Sequence, residues 1–206
     1  VSARMHFDKS GESGGEVIRA KGLAKHFVPG NPLFDNLSFL IEKKERVFIC
    51  GPNGCGKSTL LKIIADRLDP DSGSIEIGYN VTIGYYDQEN QQLSDNLTVL
   101  DEIWNSYPKL SQTEVRNALA QFLFRGDDVT KQVGVLSGGE RTRLTLTKLM
   151  LSKMNLLILD EPTNHLDIPS REALENALSQ FDGTILAVSH DRYFTSKLAT
   201  RILSFS

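Results

Sequence analysis

The sequence predicts an α/β fold: a mostly parallel core sheet flanked by helices, with an inserted helical subdomain. Three observations carry this expectation. Apolar runs at Val47–Cys50 and Leu156–Asp160 stop abruptly at a glycine or in acids, as strands buried on both faces do. Helical text follows them, from Lys57 and from Ser170, and strands that alternate with helices imply parallel pairing. The middle of the chain, about residues 90–150, changes character and reads as helical.

The elements follow in order. Residues 1–15 hold Ser and Gly and no apolar period, and read as a linker or tail, leaving 16–206 as the folded domain. Val17–Ala20, Leu37–Ile41 and Val47–Cys50 read as strands, and Lys57 to about Arg67 as a helix closed by Asp69-Pro70. Ser74–Ile77 and Val81–Tyr86 read as strands joined by a Gly-Tyr-Asn turn. A helix is expected over Thr98–Tyr107, stopping before Pro108. Ser111-Gln-Thr-Glu114 is a capping box, followed by an apolar helical face of Val115, Leu119, Phe122 and Leu123. Ser170–Phe181 is a helix with Pro169 near its start, and Thr184–Ser189 is a strand.

Composition narrows the function. The chain has 206 residues, 40% hydrophobic and 24% charged, which suits one domain with a full core and excludes a mainly disordered chain. The net charge of -3 gives no bulk attraction to nucleic acid, so any such surface must be a local patch. No run approaches the roughly 18 apolar residues that a membrane span needs, so no membrane insertion is expected. Cys50 and Cys55 are the only cysteines, no signal peptide opens the chain, and a reducing cytoplasmic setting is expected. Because the first residue is a valine, the chain reads as a piece of a longer protein.

Two motifs carry chemistry. Gly51-Pro52-Asn53-Gly54-Cys55-Gly56-Lys57-Ser58 fits G-x-x-x-x-G-K-[ST] between a strand and a helix. Glycines let backbone N–H groups curl around phosphates, and the helix N-terminus adds its dipole. Lys57 reaches the β- and γ-phosphates, Ser58 ligates Mg²⁺, and Thr59 is placed for the α-phosphate. A glycine turn that merely caps a helix is the bland alternative, and the flanking elements argue against it. The second motif is Leu156-Leu-Ile-Leu-Asp160-Glu161, an apolar strand with two acids at its carboxyl end, the edge where open α/β sheets bind ligands. Asp160 is expected to hold Mg²⁺ through water, and Glu161 to act as general base on the attacking water.

Three further segments, Leu136-Ser-Gly-Gly-Glu140, His190 after a strand and Gln88 after another, appear in the order found in ATP-binding cassette (ABC) ATPases. Over about residues 16–206 the chain resembles that family. Glu161-Pro-Thr-Asn-His-Leu-Asp167 and Ser189-His-Asp-Arg-Tyr-Phe194 resemble subfamily F (ABC-F), soluble twin-cassette proteins that act on ribosomes. Met5-His-Phe-Asp8 resembles the end of the linker before their second cassette, so the chain reads as a C-terminal cassette. The resemblance implies a P-loop NTPase fold with an N-terminal antiparallel β-subdomain beside the parallel sheet and helical insert.

It also implies roles. Phe27 would stack on adenine, although a π-face alone does not choose adenine over guanine. Gln88 would sense Mg²⁺ and the γ-phosphate, and His190 would hydrogen-bond the γ-phosphate. Ser137, Gly138 and Gly139 would cradle the ATP bound to a second cassette, in the parent chain or a second copy, packed head to tail, with Asp167 near that interface. His165 would support its loop rather than act. The expected activity is Mg²⁺-dependent ATP hydrolysis, in translation or antibiotic resistance on the ribosome and its RNA. The ATPase subunit of a membrane ABC transporter is the alternative, and the Pro-Thr-Asn-His-Leu-Asp text argues against it. A module that only holds ATP would usually lack the base, the lysine or the signature, and all are present. The basic run Arg141, Arg143, Lys148 and Lys153 could face RNA phosphate, but a solvated helix face explains it equally.

Overall fold

A computed structural model describes residues 4–6, 15–89 and 91–205. The chain divides into two compact units, one made of Val1–Tyr85, Met154–Asp160 and Asp182–Ser206, the other of Tyr86–Lys153 and Glu161–Phe181.

The first unit holds the sheets. β1 (Arg4–His6), β2 (Glu16–Val28), β3 (Asn31–Glu42) and β5 (Ser72–Ile77) form one sheet in the order β1-β5-β2-β3. β2 pairs antiparallel with both β3 and β5, whereas β1 pairs parallel with β5. β2 and β3 are longer than alternation alone predicts. Register shifts at Ala20/Leu23 and beyond, with Gly22 at φ 57° and Asn36 at φ 49°, break the period of two by which strands are read. The tail expected at 1–15 contains β1, and its other residues up to 14 lie outside the described ones.

The second sheet runs β6 (Ile83–Tyr86), β7 (Leu156–Asp160), β8 (Thr184–Val188), β4 (Arg46–Cys50) and β9 (Arg201–Ser204). β7–β8, β8–β4 and β4–β9 are all parallel. The interior of β4, all of β8 and the three leucines and one isoleucine of β7 are buried, which explains their unbroken apolar text. Each such Val, Ile or Leu contributes about 1.5–3 kcal/mol of burial. α6 (Arg192–Leu198), capped by Asp191, lays Phe194 against Phe48 with ring centroids 5.7 Å apart. Neither α6 nor β9 is visible as a period: one has seven residues, the other four. Registers align Ile49 with Val188 and Val188 with Asp160, so β4, β7 and β8 end at one edge.

The second unit is helical. α2 (Val99–Ser106) is capped by Thr98, whose hydroxyl accepts from the Asp101 amide at 3.1 Å, and ends before Pro108. α3 (Gln112–Gln121) opens with both bonds of the Ser111–Glu114 capping box. α4 (Gly138–Met150) and α5 (Ile168–Gln180) complete it, with short 3-10 turns at Gly126–Thr130 and Val133–Val135. Ile103, Val115, Leu119, Phe122 and Leu144 form its apolar interior.

Candidate functional site

The loop after β4 is shaped by close approach. At Gly51 a Cβ would lie 2.9 Å from the Phe205 Cβ and 3.0 Å from the Cys55 Sγ, and the Phe205 amide donates to the Cys50 carbonyl at 2.8 Å. Gly56 caps the next helix at φ 100°, a left-handed value, and a Cβ there would meet Leu33 at 2.8 Å. No other residue fits either place without a shift. α1 (Lys57–Ile64) then begins, and its first i→i−4 bond runs from Leu60 to Gly56 at 2.9 Å. The amides of Lys57, Ser58 and Thr59 therefore lie ahead of the ladder, at the positive end of the helix dipole, with no acid in the first turn.

Lys57 is buried, 7% exposed, and curls under the loop. Its ammonium donates to the carbonyls of Gly51 and Pro52, each at 2.7 Å, and lies 3.7 Å from the Cys55 sulfur. The charge is thus centred in the loop by the loop itself. Pro52, Asn53 and Gly54 are exposed. Ser58 Oγ donates to Asp160 Oδ1 at 3.2 Å, across the aligned ends of α1 and β7. A hydroxyl paired with a carboxylate is a hard oxygen donor set of the kind that suits Mg²⁺. Among the described residues no three His, Cys, Asp or Glu side chains cluster as a metal site, so a Mg²⁺ here would take few protein ligands, as that ion does beside phosphates.

Phe27 is 64% exposed at the end of β2. With Val28, Asn31, Pro32 and Leu33 of the β2–β3 hairpin it lines a pocket of about 260 Å³ that also takes in Gly54 of the loop. An open aromatic face thus sits beside the phosphate loop. His190 is exposed in the turn after β8, a turn held by the Asp191 amide donating to Ser189 Oγ at 3.1 Å.

The remaining candidates belong to the helical unit. Glu161 follows Asp160 directly and is half-buried at φ 50°, a left-handed conformation that costs an L-residue about 1–2 kcal/mol. Its carbonyl accepts from the Asn164 amide at 3.3 Å, and the Asn164 carbonyl accepts from Gln88 Nε2 at 3.5 Å, so Gln88 and the Glu161 loop meet. His165 shares the left-handed conformation, φ 62°, and its carbonyl stands 3.3 Å from where a Gly139 Cβ would be. Gly139 therefore lets the start of α4 approach this loop. Ser137 caps α4: its hydroxyl accepts from the Glu140 amide at 3.2 Å, while Glu140 Oε1 accepts from the Ser137 amide at 3.4 Å. Ser137 and Gly138 are exposed. Asp167 caps α5 by accepting from the Ser170 amide at 3.0 Å. The Ser170 hydrogen bonds, helped by Arg143 and Arg171, hold its carboxyl below the usual range.

Three of the four cations in the basic run are committed within their own unit. Arg141 pairs with Asp95 at 2.8 Å, and Lys148 with the buried Glu102 at 2.9 Å. Arg143 donates to the Phe122 carbonyl and lies 4.8 Å from the Phe124 ring centroid. Nothing in the sequence spacing signals these partners, which come from the segment before α2, from α2 itself and from the residues just after α3. Sequence reasoning also missed Lys25, His26 and Asp71, which surround the base of the Phe27 segment. No helix among the described residues is long and apolar enough to cross a membrane.

Residues 34–164 match the family model described as ABC transporter. YdiF of Bacillus subtilis (strain 168) is 54% identical over 205 residues, which is 100% of this chain and 32% of that protein. ABC transporter F family member 5 of Arabidopsis thaliana is 39% identical over 97% of this chain and 29% of its own length. The energy-dependent translational throttle protein EttA of Escherichia coli (strain K12) is 43% identical over 93% of this chain and 35% of its own. The chain thus spans about a third of the length of the curated relatives it matches. Among solved structures, the ATP-binding cassette MJ0796, a dimeric post-hydrolysis state bound to ADP and Pi, aligns with a TM-score of 0.77. That alignment covers 92% of this chain and 94% of the other at 22% identity, and supports the fold alone.

Proposed function

Since the chain belongs to the ABC transporter family of ATP-binding cassettes, we propose that it binds and hydrolyses MgATP as one cassette of a soluble ABC-F protein acting on the ribosome in the cytoplasm. The observation that carries the reading is the buried Lys57 ammonium centred in the glycine loop, with Ser58 and Asp160 paired at its rim. The F-family and translational-throttle names of its relatives support the ribosomal part.

In this reading the loop amides of 51–59 and Lys57 bind the triphosphate, and Phe27 takes the base on its open face. Ser58 and Asp160, with Gln88, would hold Mg²⁺, which when bound would screen the phosphate charge and orient the terminal phosphoryl group. Glu161 accepts the proton of the attacking water. His190 donates a hydrogen bond to the γ-phosphate, which fixes it in line as charge builds on its oxygens. Ser137, Gly138 and Gly139 offer an exposed helix N-terminus to the γ-phosphate of an ATP held by a second cassette, so the nucleotide is part of the interface. A monomer then binds ATP and turns it over slowly.

The test pairs turnover with sedimentation. Phosphate release from MgATP and co-migration with ribosomes through a sucrose gradient in ATP, lost in ADP, are the expected outcomes. Ser137→Arg places a bulky cation at the signature, and should abolish ATP-driven pairing in light scattering while ATP binding persists. Turnover without ribosome association would leave the ATPase and remove the ribosomal assignment.

A further inference from the structure

The hairpin that carries Phe27 is poorly supported by strand pairing. β2 stays paired with β5 only as far as Ala24↔Ser72, with the Asp71 amide adding one bond to the Ala24 carbonyl at 2.9 Å. Lys25 to Val28 are left with β3 alone. On that side His26 faces Pro32, which has no N–H to give. The register also shifts on both sides of His26. An isolated, irregular two-stranded end is marginally stable in water.

The Asp71 carboxylate takes the place of the missing strand. Its Oδ2 accepts from the His26 amide at 2.6 Å and lies 3.2 Å from His26 Nδ1. Its Oδ1 accepts from Lys25 Nζ at 3.2 Å, and the same ammonium donates to the Asp69 carbonyl at 2.9 Å. That ammonium in turn lies 5.6 Å from the centroid of the Phe27 ring, within cation–π range. One carboxylate thus fixes the backbone one residue before Phe27 and the cation against its ring. The carboxyl is held below the usual range, first by the His26 amide and then by Lys25. Asp71 lies outside the phosphate loop and outside the lining of the Phe27 pocket.

We propose that Asp71 is a positioning residue for nucleobase binding, holding Phe27 at the mouth of its pocket through His26 and Lys25. This rests on the reading of Phe27 as the base platform. It predicts an effect confined to ligands that have a base, which separates positioning from general loosening of the fold.

The experiment is calorimetry on the full chain with two probes: ATP, and inorganic tripolyphosphate, which carries the phosphates without the base. Stacking of a base on an aromatic is worth about 1–3 kcal/mol, so Phe27→Ala should weaken ATP binding by roughly five- to a hundredfold at 1.4 kcal/mol per decade and leave tripolyphosphate unchanged. Asp71→Ala should weaken ATP by roughly three- to tenfold on the same scale, again with tripolyphosphate unchanged. Asp71→Asn, which keeps an acceptor for the His26 amide but not the charge opposite Lys25, should fall between. The double variant Phe27→Ala with Asp71→Ala should bind ATP no worse than Phe27→Ala alone, because both act through one ring. Equal losses for both probes, full additivity, or unchanged ATP affinity in Asp71→Ala would each overturn the proposal. Unchanged ATP affinity in Phe27→Ala would remove the base platform itself, and the role of Asp71 with it.

Discussion

The two units solve the same problem with different materials. In the sheet unit, β4, β7 and β8 are held by apolar burial on both faces, and the glycine loop, Asp160 and His190 come directly where those strands end. In the helical unit much of the fixing is polar. Thr98, Ser111, Ser137 and Asp167 cap four helices, and the Lys148–Glu102 pair ties α4 to α2 with a carboxylate that is 3% exposed. A unit built on burial gives a fixed cradle. A unit built on caps and ion pairs depends on a few charges, and its segment after β7 leaves Asp160 and turns at once into the left-handed Glu161.

The largest expected effect separates chemistry from binding. Glu161→Gln keeps the shape of the side chain but removes the proton acceptor. General-base catalysis contributes about 10²–10⁴-fold, so phosphate release should fall by roughly that factor, or about 3–5 kcal/mol of barrier. ATP affinity should hold, because Lys57, Ser58, Asp160 and the loop amides stay in the sheet unit untouched. Loss of binding in step with loss of turnover would place Glu161 in the cradle and erase the division of labour.

Next comes the ion pair. Lys148→Ala leaves the Glu102 carboxylate buried with the Ser94 amide, 3.2 Å away, as a remaining donor. Breaking one partner of a buried pair costs about 3–5 kcal/mol. The lower end applies here because Lys148 is partly exposed. Thermal unfolding should show the loss, whereas Lys148→Met with Glu102→Leu should recover much of it. In the sheet unit, Lys57→Ala should weaken ATP binding by about 2–3 kcal/mol, the scale of a lost charged hydrogen-bond partner. Calorimetry that found unchanged affinity would contradict the phosphate assignment.

The same contrast governs what could be read from the sequence. Buried parallel strands announce themselves as apolar runs, and a glycine loop or capping box is spelled out over four to eight neighbouring residues. Hence the fold class, the glycine loop between strand and helix and the Ser111 box were legible. What was not legible depends on partners distant in sequence. Arg143 meets Phe122 and Phe124, Lys148 meets Glu102, and Asp71 meets His26. A run of cations in text became three internal contacts in space. Bulged β2 and β3 lost their alternation, and β9 is too short to show one.

The smallest expected effect is the most local. Ser111 accepts from the Glu114 amide at 3.2 Å, and Glu114 Oε2 accepts from the Ser111 amide at 2.7 Å. Removing such a cap with Ser111→Ala costs about 1 kcal/mol. Acid should do part of the same. The carboxyls of Glu114, Asp128 and Asp167 are all held below their usual range, mainly by hydrogen bonds from Ser111, Arg125 and Ser170 respectively. A carboxyl depressed in the folded state stabilises fully above its unfolded value and loses that contribution as pH falls through the lower, folded value. The caps should therefore hold above about pH 4–5 and weaken below it, in the range where free carboxylates titrate. In the sheet unit the Asp71 carboxyl is depressed in the same way, first by the His26 amide. Hydrogen-exchange protection measured at pH 6 and pH 3 should fall at the starts of α3 and α5 while the interiors of β4 and β8 keep theirs. Ser111→Ala should reduce protection in α3 at pH 6 and make it less sensitive to the acid step, since the box is already broken. If strands and caps lost protection together, the units would be one cooperative block, and the polar-against-apolar division would not describe how this chain is held.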